Sequence, residues 1–242
     1  MSRLQCRRRP ETRRSIVVNR QDPNNRPRIL LADDQRVLTE GLAAILSVDY
    51  DIVGSAANGH ELVLLAKEHK PDLILAEIAL PLLNSLDSFQ VLRADGLKSK
   101  FVVLTSYLDV GLAIEAFRAG VSGYVLKAAG KKEIFAAIEA ALQGRTYLSA
   151  GFPVDLLSLL ADAARRPSAG SKLTRRQREV LQLVAEGKTM KEVASVLSIS
   201  TRTAESYKYE IMRALGVHSN AQLVHYAIRI GLITVPRFKS AA

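Results

Sequence analysis

The chain has few of the residues that carry redox and thiolate chemistry. It contains one cysteine, Cys6, no tryptophan, and 5% aromatic residues among its 242. A single cysteine excludes an internal disulfide and a zinc site built from paired thiolates, and it suits a reducing cytoplasm. The sequence also has no apolar run of about 18 residues, so it predicts no membrane span. We therefore expect a soluble, cytoplasmic protein that does not contact a membrane.

A glycine-rich phosphate loop is also missing. No G-x-G-x-x-G follows the first apolar run at residues 29–32, which argues against a dinucleotide-binding oxidoreductase. The hydrophobic content of 48% is that of a globular chain, and the length fits two modest domains with tails.

The net charge of +10 is unevenly distributed. Residues 1–26 contain 8 Arg against 2 acids and show no helical or strand period, so they predict a disordered basic tail rather than a signal peptide. Residues 27–148 have 12 basic against 15 acidic side chains, whereas residues 172–242 have 12 against 5. The basic C-terminal part therefore predicts an anionic partner such as double-stranded DNA.

The pattern of residues 173–232 predicts a helix-turn-helix. A first amphipathic helix ends at Gly187, a second covers 190–197, and a third covers 201–215 after a short turn. One side of the third helix is apolar and should pack inward: Ala204, Tyr207, Ile211 and Leu215. The opposite side is polar: Arg202, Glu205, Ser206, Tyr209 and Arg213. With Ser200 as the N-cap, this side suits base edges and phosphates.

The preceding part of the chain alternates strands and helices. Five apolar runs, each followed by a helical pattern, predict an α/β fold with a five-stranded, doubly wound parallel sheet and a second, smaller all-α domain. We place the first domain at 27–146, a linker with a short helix at 147–171, the helix-turn-helix domain at 172–235, and a tail at 236–242.

Polar side chains stand where these strands end. Asp33 and Asp34 follow the first strand, Glu77 the third, Thr105 the fourth and Lys127 the fifth. The carboxyl ends of parallel strands meet at one edge of a sheet, so the five side chains should converge. Carboxylates are ligands that Mg²⁺ accepts, and a lysine with a hydroxyl can bind phosphoryl oxygens.

Both halves resemble one known family. The segments RPRILLADDQ, KPDLILAEIALP, FVVLTSY and GYVLKAA are similar to receiver domains, and LTRRQREVLQLVAEG with IMRALGV resembles the LuxR-type helix-turn-helix of NarL/FixJ response regulators. The resemblance implies a flavodoxin-like receiver with a switch that includes Thr105 and Tyr124. It also implies that the protein is a transcription factor rather than an enzyme, that it forms a homodimer, and that a histidine kinase is a possible partner. The chain departs from the family at Glu77, where the phosphoacceptor aspartate is expected, and at Ser85, where glycine is usual.

The resemblance also assigns the residues that contact DNA. Glu205, Ser206 and Tyr209 are expected at base edges, and Arg202, Thr203, Lys208 and Arg213 at phosphates, with Lys191 of the second helix nearby. The last helix would dimerise through an apolar edge that contains Leu223, Ala227, Ile230 and either Leu232 or Ile233, and packing in the domain's own core is the alternative for half of these residues.

The replacement at position 77 leaves several functions open. The longer glutamate should abolish or greatly slow phosphotransfer, so we expect an atypical receiver in which Lys127 and Thr105 hold a partly active-like state. Mg²⁺ could bind Asp33, Asp34 and Glu77 weakly but is not required. The alternatives are an Mg²⁺-dependent phosphohydrolase fused to a DNA-binding module, and a receiver that reads a ligand or a partner protein.

Overall fold

The computed structural model describes residues 26–106, 108–152 and 173–233. The linker helix expected after residue 152, the hinge that follows it, and most of both tails lie outside these residues. Within them, an α/β half is followed by a smaller all-helical half. None of the helices in these ranges combines the length and the apolar character that crossing a bilayer would require.

The strands of the α/β half form one parallel sheet in the order β2-β1-β3-β4-β5-β6. Their bounds are β1 Arg28–Ala32, β2 Asp51–Ala56, β3 Leu73–Glu77, β4 Lys100–Thr105, β5 Gly123–Leu126 and β6 Tyr147–Leu148. The predicted doubly wound sheet is confirmed, but the described sheet has six strands rather than five. The sixth was missed because two residues show no period, and it places a strand at the start of the predicted linker.

Helices cover both faces of this sheet. Their bounds are α1 Arg36–Leu46, α2 Gly59–His69, α3 Ser85–Ala94, α4 Val110–Ala119 and α5 Lys131–Leu142. Residues of α2, α3 and α4 pack in one apolar cluster, and residues of α1 and α5 pack in the other. Strands β1, β3 and β4 lie between the two clusters, which explains their continuous apolar sequences.

The helical half begins each of its helices with a side-chain cap. The bounds are α6 Arg175–Ala185, α7 Met190–Val196, α8 Thr201–Leu215 and α9 Asn220–Arg229. Thr174 and Thr189 form capping boxes with Gln177 and Glu192, and the Ser200 hydroxyl accepts a hydrogen bond from the Thr203 amide. Gly216, at φ 68°, ends α8 in the left-handed region.

The apolar side of α8 packs as predicted. Ala204 and Ile211 are buried in the core of the helical half, and Tyr207 and Leu215 pack against it. The expected dimer edge of the last helix needs correction, because Leu223, Ala227 and Leu232 belong to this same core and are not exposed. Leu223 and Ala227 lie on α9 and Leu232 follows it, and all three pack with residues of α6 in this core.

Candidate functional site

Three of the predicted strand-end residues form a buried ionic cluster. The Lys127 ammonium lies 2.5 Å from Asp33 Oδ2 and 2.6 Å from Glu77 Oε2. Asp33 and Glu77 are each 4% exposed. They converge because β1, β3 and β5 are parallel and deliver the residues that end or follow them to one edge of the sheet. The sequence therefore predicted this convergence, and the structure shows which atoms are paired.

The remaining carboxylate oxygens accept backbone hydrogen bonds. Asp33 Oδ1 accepts from the Gln35 amide at 2.9 Å, and Glu77 Oε1 accepts from the Ile78 amide at 2.8 Å. Each buried carboxylate thus has one oxygen on the ammonium and one on the backbone. This arrangement fixes the Glu77 head group from both sides.

The charges in the cluster favour an ionised lysine. Burial lowers the pKa of the Lys127 ammonium, but Glu77 and Asp33 outweigh burial and raise that pKa above its usual value. Asp34 differs from its neighbour because it lies at the exposed rim of the site. Desolvation and the adjacent Asp33 charge raise the pKa of Asp34. Burial likewise raises the pKa of the Glu77 carboxyl, and the Lys127 charge opposes this rise.

The carboxylates are paired with a lysine in the place where the sequence suggested a possible metal site. Within the described ranges, no group of three His, Cys, Asp or Glu side chains is placed to hold a metal ion. The Lys127 ammonium contacts both Asp33 and Glu77, in the place where a cation would share them, while Asp34 stays at the rim. As arranged, Asp33, Asp34 and Glu77 do not fit Mg²⁺, because the Lys127 ammonium already contacts an oxygen of each buried carboxylate.

The two residues that the family resemblance assigned to a switch lie inside the receiver half. Thr105, at the end of β4, and Tyr124, on β5, are both fully buried. The Tyr124 ring contacts the Phe152 ring edge-on, with centroids 5.5 Å apart. Burial raises the pKa of the Tyr124 hydroxyl, so this side chain is neutral.

Ser85 contributes to the site in a way that the sequence did not reveal. Its fully buried hydroxyl donates a hydrogen bond to the Glu77 carbonyl, and its amide donates to the Ile78 carbonyl at 3.0 Å. Glycine at this position would lack the first of these bonds. Both positions differ from the family pattern, and Ser85 therefore gives Glu77 a hydrogen bond that the usual glycine could not make.

The polar side of α8 is open to solvent. Arg202, Thr203, Glu205, Ser206 and Arg213 are exposed, and so is Lys191 on α7. Tyr209 is 72% exposed, which is unusual for so large a ring in a described helix. Lys208 is half-buried. The predicted contact residues thus share one accessible surface, which the described part of the receiver half does not cover.

Each half of the chain matches a known protein family. Residues 29–139 match the response regulator receiver domain, and residues 171–227 match the bacterial regulatory proteins of the luxR family. The transcriptional regulatory protein LiaR of Bacillus subtilis is 33% identical over 208 residues, which covers 85% of this chain and 99% of LiaR.

Solved structures share the fold. The RcsB response regulator of Salmonella typhimurium aligns with a TM-score of 0.59 and 21% identity, over 85% of this chain and 98% of that chain. Another RcsB structure, of two dimers bound to two parallel DNAs, aligns with a TM-score of 0.51 and 21% identity, over 85% of this chain and 100% of that chain. With its receiver fold, its helix-turn-helix and its full-length relative, this chain belongs to the two-component response regulators that carry a LuxR-type DNA-binding domain.

Proposed function

We propose that this transcription regulator has an atypical receiver, in which Glu77 takes the place of the phosphoacceptor and an ion pair takes the place of phosphorylation. The observation that carries the proposal is the 2.6 Å contact between Lys127 and the buried Glu77 carboxylate. The buried positions of Thr105 and Tyr124 support an active-like core. The proposed domains are 27–146, extended by β6, and 172–235.

Glutamate can replace phosphoaspartate only in part. Its extra methylene moves the carboxylate about 1.5 Å outward, toward the place of a phosphoryl group. The carboxylate brings about one negative charge, whereas a phosphoryl group brings about 1.5 to 2 and one more acceptor oxygen. Lys127 contacts the Glu77 carboxylate while it also contacts Asp33, so both buried carboxylates share one positive charge. The receiver is therefore expected to rest in its paired state without a kinase.

A metal ion is not required for this pairing. In a receiver that binds Mg²⁺, a divalent ion would supply positive charge to the carboxylates and to an incoming phosphoryl group. Here Lys127 supplies positive charge to Asp33 and Glu77 directly. The same ion pairing gives no support to the phosphohydrolase alternative, which would need these carboxylates free for a metal.

The experiment is phosphotransfer to the full-length protein. We expect no phosphoprotein after incubation of the wild type with Mg²⁺ and acetyl phosphate, and a phosphoprotein from the Glu77→Asp variant, measured by intact mass. Glu77→Gln serves as the matched variant that neither accepts phosphate nor pairs with Lys127. An unchanged wild-type mass, together with an acyl phosphate on the aspartate introduced by Glu77→Asp, would agree with the proposal. A labile acyl phosphate on Glu77 would contradict it.

The same three proteins test whether position 77 controls output. We expect Glu77→Gln to lower DNA occupancy relative to the wild type, because Lys127 loses one of its two carboxylate partners. Equal DNA binding by wild type, Glu77→Asp and Glu77→Gln would show that this position no longer regulates.

The DNA-binding half supports binding to double-stranded DNA as a homodimer. Its exposed α8 surface carries the side chains expected at bases and phosphates, and the RcsB dimers that share the fold are bound to DNA. Two such surfaces would meet half-sites about 10 bp apart. A histidine kinase could act on this receiver only by phosphorylating Glu77. The phosphotransfer experiment therefore also tests whether a kinase is the input.

A further inference from the structure

One edge of α6 carries three polar residues spaced one helical turn apart. Arg178 and Gln182 lie on α6 and Glu186 caps its C-terminal end, at i, i+4 and i+8, so the three share this edge. A polar edge of this kind is normally exposed in a small helical domain. Here Gln182 is fully buried and Arg178 is 8% exposed. The receiver half covers the edge, which requires specific partners for these polar groups.

Gln182 binds the backbone of the loop between β3 and α3. Its amide nitrogen donates to the Leu80 carbonyl at 2.8 Å, and its amide oxygen accepts from the Asn84 amide at 2.9 Å. One side chain thus contacts two backbone groups of the same loop, four residues apart. A buried glutamine with both ends paired is a built contact rather than a chance approach.

Leu82 anchors the same loop to the helical half. Its amide donates to Glu186 Oε1 at 3.0 Å, and its side chain packs against the core of the DNA-binding half. Its φ of 68° lies in the left-handed region, which leucine rarely adopts. The contact with the helical half supplies a reason for this backbone conformation.

Ionic contacts extend the interface to α3 and α4. Arg178 lies 3.4 Å from Asp87 and 3.1 Å from Glu115. Asp87 is 1% exposed and also accepts from the Asn84 side chain at 2.5 Å. Burial raises the pKa of Asp87 and the Arg178 charge opposes this rise. The loop, the start of α3 and α6 therefore form one connected network.

This network begins next to the receiver cluster. The Ile78 amide binds the Glu77 carboxylate, and the Ser85 hydroxyl binds the Glu77 carbonyl, so both ends of the loop are tied to residue 77. Between these two ends lie Leu80, Leu82 and Asn84, which bind Gln182 on α6 and Glu186 at its end. A change in the position of Glu77 consequently has a short route through this loop to the DNA-binding half.

The docked arrangement leaves α8 free. The receiver half uses α6 and not the polar side of α8, whose Tyr209 remains 72% exposed. Docking through α6 therefore does not compete with DNA for the surface that would read it.

We propose that the loop at residues 80–84 and α6 form a docking interface that links the Glu77 site to the DNA-binding half, and that the docked protein is the form that reads DNA. This coupling is reciprocal, because two sites linked by one interface must affect each other equally. The proposal does not depend on whether Glu77 accepts phosphate, since the contacts to α6 are made by the loop and not by the carboxylate.

Hydrogen exchange of the full-length protein tests the interface. We expect Gln182→Ala to increase amide exchange in residues 78–84 by about tenfold, because the Asn84 amide loses its partner and docking weakens. The control is Gln90→Ala, which changes an exposed glutamine on α3 and should leave this segment unchanged. Unchanged exchange in Gln182→Ala would overturn the docking interface.

DNA affinity separates this proposal from inhibition by docking. The probe is a duplex selected by the wild-type protein from a random pool. We expect Gln182→Ala to bind it at least about threefold more weakly than wild type, because less of the variant is in the docked form that reads DNA. Equal binding would show that docking does not affect α8, tighter binding would show that docking inhibits it, and either result would overturn the proposal.

A second variant distinguishes loss of docking from unfolding of the DNA-binding half. Arg178→Ala removes the ion pairs to Asp87 and Glu115 at another part of the interface. We expect it to raise exchange in residues 78–84 while the exchange of the core residues of α8 stays as in wild type. If neither variant raises exchange in the loop while both stay folded, the interface does not couple the two halves.

Discussion

A lysine shared by two buried carboxylates determines the charge of the receiver site. Lys127, Asp33 and Glu77 were predictable as a group because the ends of parallel strands meet. Their pairing was not predictable, since it depends on side-chain positions that no pattern encodes. For the same reason the sequence could not show how the possible weak metal site would be arranged: the ammonium contacts two of its carboxylates, and the third, Asp34, lies at the rim.

Removing this lysine should be costly. We expect Lys127→Met to lower the free energy of unfolding by about 3–5 kcal/mol, because two buried carboxylates would lose their cation. Urea unfolding followed by circular dichroism measures the change, and Lys132→Met, at an exposed lysine, is the control. Adding Glu77→Gln should recover part of the loss. Equal effects of the two lysine variants would contradict the buried ion pair.

The exposed side of α8 allows a test of individual contacts. We expect Arg202→Ala to weaken binding to all duplexes alike, because a phosphate contact carries no sequence information. Glu205→Ala should instead change which sequences are preferred, by about 1–3 kcal/mol at one base pair, since a carboxylate can accept from the cytosine amino group. A mobility-shift series over a panel of duplexes measures both. The reverse pattern would contradict these assignments.

At the scale of elements, periodicity predicted the strands and helices that are long enough to show it. The five longer strands and the helices of both halves lie where the apolar pattern placed them, with small shifts at their ends. Strand β6 was missed because two residues give no pattern. For the apolar edge of α9 the sequence left two alternatives, because burial in the domain's own core and burial in a dimer leave the same apolar sequence, and the structure places Leu223, Ala227 and Leu232 in the core.

The capping boxes give a prediction for α7. We expect Thr189→Ala to lower the free energy of unfolding by about 1 kcal/mol, because the α7 amide groups lose a side-chain acceptor. Thr189→Ser retains the hydroxyl and should be close to wild type. Thermal unfolding monitored by circular dichroism compares the two. If Thr189→Ala melts with the serine variant, the cap does not stabilise the helix.

At the scale of the whole molecule, charge separates the two halves. The acidic receiver half and the basic DNA-binding half were predictable from composition alone. Their contact was not, because the α6 edge that forms it has the polar sequence of an exposed surface. Only the burial of Gln182 and Arg178 reveals that this edge is an interface.

The basic half should make DNA binding strongly dependent on salt. We expect Arg213→Ala to reduce the slope of log K against log[salt] by about one per protomer, since one phosphate contact is lost. Fluorescence anisotropy at several salt concentrations measures the slope. Arg145→Ala removes the same charge from an exposed site on the receiver half and is the control. Equal slopes for the two variants would exclude Arg213 from the phosphate contacts.

The position of Leu82 limits how freely the two halves can be exchanged with those of other proteins. Its side chain completes the packing of the helical half, although it belongs to the receiver. A fragment made of the DNA-binding half alone would expose the apolar surface that Leu82 covers. A chimera with a receiver from another protein would need an apolar side chain in the place of Leu82. We expect such chimeras to stay monodisperse only when residues 80–84 of this receiver are kept together with the helices of the DNA-binding half.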